Sequence, residues 1–198
     1  MAVTLNASTS SGFIQTADTS GDLALQSNGT TQFNVTSTGA YGQIKSGTAV
    51  ASTSGTSIDF TSIPSWVKRI TVMFQGVSTN GTSNYQIQIG AGSVTTSGYA
   101  AVGVSTAGTG IATTAYTSGF IIVVPGAATN LNSGAVVLTN LTSNTWAVQG
   151  VVASTDTTRS NICAGSISLG GTLDRVRITT VNGTDTFDAG TINILYEG

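Results

Sequence analysis

From residue 47 onward the chain alternates apolar and polar residues with a period of two, in short blocks. Ile70, Val72 and Phe74 alternate with Thr71, Met73 and Gln75, and Val176 and Ile178 with Arg175 and Arg177. Ile192, Ile194 and Tyr196 oppose Asn193 and Glu197, with Leu195 as an apolar residue on the polar side. Trp146, Val148 and Val152 line up around Gly150. This period belongs to strands with one buried face. The blocks predict strands at 48–51, 56–60, 69–76, 85–90, 99–104, 119–124, 135–139, 145–153, 162–169, 174–181 and 191–197. No stretch carries the i, i+3, i+4, i+7 apolar face of a helix, and β-branched residues together with 25 glycines disfavour one. The expectation is an all-β chain.

The stretch Ile58 to Phe74 shows the plan most clearly: an apolar run, a corner at Pro64, then a strand. Proline fixes its own φ and biases Ile63 toward an extended conformation, so a turn is expected over Ile63 to Trp66, with Trp66 plugging one end of a core. Lys68 and Arg69 read as a solvated strand end. About eight to eleven antiparallel strands with long Gly-rich connections suit a two-sheet, jelly-roll-like β-sandwich. A closed barrel is the alternative, but the polar connections at 77–84 and 91–98 look like end loops rather than tight hairpins.

Residues 1–45 differ. Their apolar residues are sparse and fall in three pieces, FIQT, DLALQS and TQFNVTS. Leu23 and Leu25 alternate with polar or small neighbours, as do Phe33 and Val35, and Asn28-Gly29 between them is a strong hairpin signal. So small a β-hairpin is marginal alone and needs a partner surface. The expected division is therefore an N-terminal anchor and oligomerisation segment, 1–45, and a β-sandwich head domain, 46–198. Phe13, Ile14, Leu23, Leu25, Phe33 and Val35 are the candidate particle-anchor or trimer contacts.

Composition narrows the function. Charged residues make up only 7%, against roughly 25% in ordinary globular domains, so the surface is rich in hydroxyls and amides. Six basic residues and a net charge of −2 leave no basic stripe for nucleic acid or an anionic membrane surface. Apolar runs are too short for a membrane-spanning helix, and no export signal is expected at MAVTLNASTS. The single Cys163 shares the parity of Ile167 and Leu169 and reads as a small buried side chain.

No histidine is present, which removes His-based triads and most zinc sites. No GxSxG elbow, SxxK or phosphate-binding loop accompanies the many Ser and Thr residues. Asp185 and Asp188 are close in sequence, but without calcium-loop spacing they read as turn residues. No enzyme activity and no cofactor are expected. Tyr41, Tyr85, Tyr99 and Tyr116 lie in or beside predicted loops; Tyr85, Tyr99 and Tyr116 are the candidate surface-ligand contacts if the sandwich is a carbohydrate-binding module.

At IPSWVKRITVMF and again at DTFDAGTINILYEG the chain resembles bacteriophage virion structural proteins of the head-fibre and tail-fibre type. The N-terminal LALQSNGTTQFNVTSTG is similar to the short strand repeats by which such fibres attach to a particle or trimerise. The resemblance implies a non-enzymatic virion component, assembled in the host cytoplasm as a homotrimer. Its implied partners are phage capsid or tail proteins and a host-surface glycan or receptor. It transfers no receptor-binding residue.

Overall fold

Ile70, Val72 and Phe74 turn one face of a strand into the core, where they are at most 5% exposed, and the strand they form organises the molecule. It is β7 (Arg69–Thr79), and it lies between β13 (Asn132–Thr142) and β17 (Phe187–Glu197). The computed structural model describes residues 23–27, 30–36, 39–41, 44–107 and 110–198. They fall into two units, divided between Gln43 and Ile44.

The first unit holds an antiparallel sheet of β1 (Leu23–Ser27), β2 (Thr30–Thr36) and β3 (Gly39–Tyr41). Ser27 pairs with Thr30, the register expected when two residues connect two strands; the connecting Asn28 and Gly29 lie outside the described residues. Leu25 faces Phe33 across the ladder and Leu23 faces Val35, with a bulge after Leu25.

The second unit is an antiparallel β-sandwich. Its larger sheet runs β11 (Gly110–Tyr116), β10 (Ala100–Ala107), β15 (Arg159–Ser168), β14 (Thr145–Ser154), β13, β7, β17, β4 (Ile44–Ser46), with β5 (Val50–Ala51) also on β17. The smaller sheet runs β12 (Phe120–Val123), β8 (Tyr85–Ala91), β16 (Arg175–Thr180), β6 (Ser57–Thr61), with β9 (Ser93–Val94) on β8. Two separate sheets replace the barrel alternative, and nine and five strands among the described residues exceed the eight of a jelly roll. Ile44 and Lys45, assigned by sequence to the N-terminal segment, pair with Glu197 and Tyr196 of the sandwich.

The core between the sheets is built by the predicted parities. Val136, Leu138, Ile192 and Ile194 of the larger sheet meet Ile87, Ile89, Val176 and Ile178 of the smaller one, all at most 2% exposed. Where the sheets approach closely, glycine replaces a side chain: a Cβ on Gly103 would lie 3.1 Å from the Ile121 side chain. At the corner, Val67 N–H donates to Pro64 O and Lys68 N–H to Glu197 O, while Lys68 O accepts from Asn140 N–H, so the turn is tied to both neighbours of β7. Ile63 and Val67 are buried there, and Trp66, half-buried, packs against the same core as expected, edge-on to Tyr196 at 6.3 Å.

Replacing Ile178 by Ala removes a fully buried side chain and is expected to cost about 2–5 kcal/mol. Leu141→Ala at an exposed position should stay within roughly 0.5 kcal/mol. Urea unfolding followed by tryptophan emission distinguishes the two.

Candidate functional site

Two of the three loop tyrosines turn inward. Tyr99 is 2% exposed and packs edge-on against Phe120 at 4.8 Å. Its hydroxyl accepts from Ile89 N–H at 2.8 Å and lies 2.9 Å from Thr95 O as a donor. It therefore staples the 92–99 connection to β8. Tyr85 is 1% exposed, stacks edge-on with Phe187 at 6.1 Å and accepts from Thr79 Oγ1 at 3.2 Å. Both are corrections to the surface-ligand expectation: each has a full apolar burial for its ring and an internal partner for its hydroxyl, the arrangement a buried tyrosine requires. Burial raises both phenols above their ordinary value, Tyr99 to about 12. Tyr116 remains half-buried at the end of β11, with its hydroxyl bonded by the Asn84 amide. Tyr41 is the last residue of β3.

The carboxylates are engaged in holding turns. Asp185 accepts from Ser83 N–H at 3.0 Å and from the Asn182 amide at 2.6 Å, joining the connection before β8 to that before β17. Gly81 makes room for it, since a Cβ there would fall 2.0 Å from the carboxylate. Asp188 accepts from the Ser78 hydroxyl. Asp59 and Arg177, register partners on β6 and β16, form a two-point pair at 2.6 and 3.1 Å, and Asp174 pairs with Arg175 at 2.7 Å. Arg175 holds the Asp174 carboxyl below its usual range. These pairs are solvent-exposed, so they contribute little to stability. Among the described residues no three Cys, Asp or Glu side chains converge as metal ligands would, and no helix is long and apolar enough to cross a membrane.

One arginine among the described residues has no carboxylate partner. The ladder register places Val77, Asn132, Ser154, Arg159, Ala107 and Gly110 in one row at the end of the larger sheet. Buried amides build that end: Asn132 donates to Val77 O and Asn130 O and accepts from Ser154, and Asn161 accepts from Val124 N–H. Asn130 Oδ1 accepts from Gly126 and Ala127 N–H, fixing the loop against which Arg159 lies. Arg159 donates to Ser105 Oγ at 2.9 Å and lines a cleft of about 270 Å³ with Gly126, Asn130, Thr157 and Thr158. A guanidinium beside hydroxyls and a backbone turn, open to solvent, can receive an acidic group; it has no nucleophile or general base beside it for catalysis. The sequence reading passed over Arg159 because a lone arginine before a strand has no local signature. Only the ladder brings it beside residues 126–130.

Of the anchor candidates, Phe13 and Ile14 lie outside the described residues. Leu25 is 47% exposed in β1 and Phe33 is half-buried in β2; Leu23 and Val35 occupy the neighbouring paired positions of the same ladder. Cys163 is buried, and its thiol is pushed up to about 12 by loss of solvation. Comparison with family models, with curated proteins and with solved structures found no match to this chain.

Two measurements follow. Tyr99→Phe leaves the Ile89 N–H without its acceptor inside the core and should cost roughly 1–3 kcal/mol, against less than about 1 kcal/mol for Tyr116→Phe. Stability should also fall as pH rises from about 9 to about 12. The fold raises the Cys163 and Tyr99 pKa values from 9.0 and 10.0 to about 12 each. Their protonated forms therefore favour the folded state fully below the unfolded values, and that contribution is lost on the way to the folded ones. A shallower alkaline decline in Cys163→Ala, measured by urea unfolding against pH, checks the assignment.

Proposed function

We propose that this chain is a non-enzymatic structural protein of a bacteriophage particle, of the head-fibre, tail-fibre or capsid-decoration type. The observation that carries the reading is the division into a slight three-stranded sheet and a large sandwich. The small sheet has too few strands to bury its own apolar residues, and Leu25 is left half open to solvent. Such a sheet gains stability by lying against another molecule, which makes it an attachment segment, while the sandwich supports itself through its own core. The IPSWVKRITVMF and DTFDAGTINILYEG resemblance supplies the class of particle. In this reading three copies assemble with capsid or tail proteins in the host cytoplasm, and the sandwich projects outward toward the host surface.

The test is made on particles of the phage that encodes the chain. Full-length protein carrying Leu25→Lys and Phe33→Lys is expected to fold its sandwich yet fall to background in purified particles, with wild-type copy number a multiple of three by quantitative mass spectrometry. Recovery of the double variant at the wild-type level would remove the attachment role; absence of the wild-type protein from particles would remove the virion assignment itself.

A further inference from the structure

The sequence places Leu195 on the polar side of its strand, and the ladder shows that the middle of this side of the larger sheet carries more apolar than polar residues. Leu195 pairs with Thr71, Thr71 with Val137, Val137 with Gln149, Gln149 with Ala164 and Ala164 with Val102. The adjacent row of the same face runs Asn193, Met73, Ala135, Val151, Ile162, Val104, Thr113, polar only at its two ends. Ile162, Val151 and Val102 are 49%, 51% and 46% exposed, although a side chain of this kind belongs in a core. Residues 70–155 contain no Asp, Glu, Lys or Arg. From β11 to β7, charges on this sheet therefore stand only in its terminal rows, at Arg159 and Arg69. The opposite sheet is different: its outer face carries the Asp59–Arg177 pair.

We infer that this face of the larger sheet is the surface through which copies of the chain pack on one another, with a second copy of the same chain as its occupant. Three points select that occupant. The face spans seven strands, β11 to β17, and a third row, Ser133, Ala153, Ser160, Thr106 and Ile111, lies beside the other two; at roughly 4.8 Å per strand and about 6.7 Å between rows on one face, three rows give a footprint of about 600 Å². That approaches the roughly 800 Å² each partner contributes to a standard stable interface and stands at the top of the roughly 300–600 Å² range of the largest patch on a monomer, a size that often marks a functional surface. These three rows carry no charge, so they do not repel a second copy of themselves and offer no counter-charge to a partner recognised electrostatically. Its alternation of Val, Ile, Met and Leu with Ala, Thr and Gln presents knobs and gaps of the kind that interdigitate when sheets stack about 10 Å apart. This inference names the contact surface and stands apart from the virion reading: a chain that is absent from any particle can still associate this way.

The test is the mass of purified full-length protein by light scattering across a dilution series, with circular dichroism to follow the fold. Wild type should be a dimer or trimer, and Val151→Lys with Ile162→Lys should reduce it to one chain, weakening association roughly 100-fold or more. Leu141→Lys, at an exposed apolar residue near the end of β13 and beyond these rows, should leave the mass unchanged. The milder pair Val151→Thr with Ile162→Thr keeps β-branched residues in both strands and should shift the dissociation midpoint to higher concentration. It decides the matter if the lysine variant fails to fold. A monomeric wild type, or assembly that persists unchanged in the folded lysine or threonine pair, overturns the inference.

Discussion

The pairing of β17 with β7 is the constraint on which the remaining architecture depends. β17 is the last strand of the chain, yet it lies inside the larger sheet, bonded to β7 on one side and to β4 and β5 on the other. β4 and β5, which precede the corner, thus have no place in the sheet until the C-terminal strand has been laid down. The long ladder tolerates two register shifts near Ala189, where Gly190 at φ +94° passes so close to Gly76 that a Cβ would sit 2.5 Å from its carbonyl oxygen. Glycine is required there on both counts. Backbone hydrogen bonds made at such sequence separation cost loop-closure entropy before they contribute, which makes formation of this pair a slow step in any route to the sandwich.

Once that pair is set, packing between sheets supplies most of the stability, because little else is available. Exposed ion pairs contribute little, and the hydroxyl-rich surface adds none of the burial on which a core depends. The interior is instead filled by isoleucine and valine from both sheets and closed by three aromatic contacts. Polar groups enter it only where they are satisfied. Asn132 and Asn161 complete backbone groups at the end of the larger sheet that strand pairing leaves open, so their burial costs less than an apolar replacement that orphaned those carbonyls. Function and stability are thereby separated: the ends and the outer face can vary while the inner parity is kept.

What was legible in the sequence follows from amplitude. Strands β7, β16 and β17 alternate strongly, one buried parity against polar residues, and their positions and inward residues were readable. β11, GIATTAY, lies at the sheet edge with nearly every residue exposed, so no alternation marks it and it was missed. β4 and β9 are three and two residues long and exist because a neighbouring strand offers a free edge, whereas the equally short β5 falls within the predicted 48–51. Tyr85 and Tyr99 were misplaced for a related reason: next to turn residues a tyrosine looks like a rim residue, and only the tertiary partner of its hydroxyl shows otherwise. Arg159 gave no signal, since the row it occupies is assembled from six strand ends.

The outer face of the larger sheet was misread by the same logic that read the inner face correctly. A period of two assigns one parity to the core and treats the other as solvent by default, and Ala, Thr and Gln on β13, β14 and β15 fit that default. Val137, Val151 and Ile162 do not, and neither does Leu195. Each taken singly is an ordinary exposed apolar residue. The ladder gathers them onto one surface, most of whose strands come from a segment, 70–155, that holds no charge. A soluble sheet face is normally kept apart from its neighbours by interspersed lysine and glutamate. Scarcity of charge on this chain is therefore not a uniform property of its surface: the pairs sit on the smaller sheet and at the strand ends, and the broad face is where charge is missing.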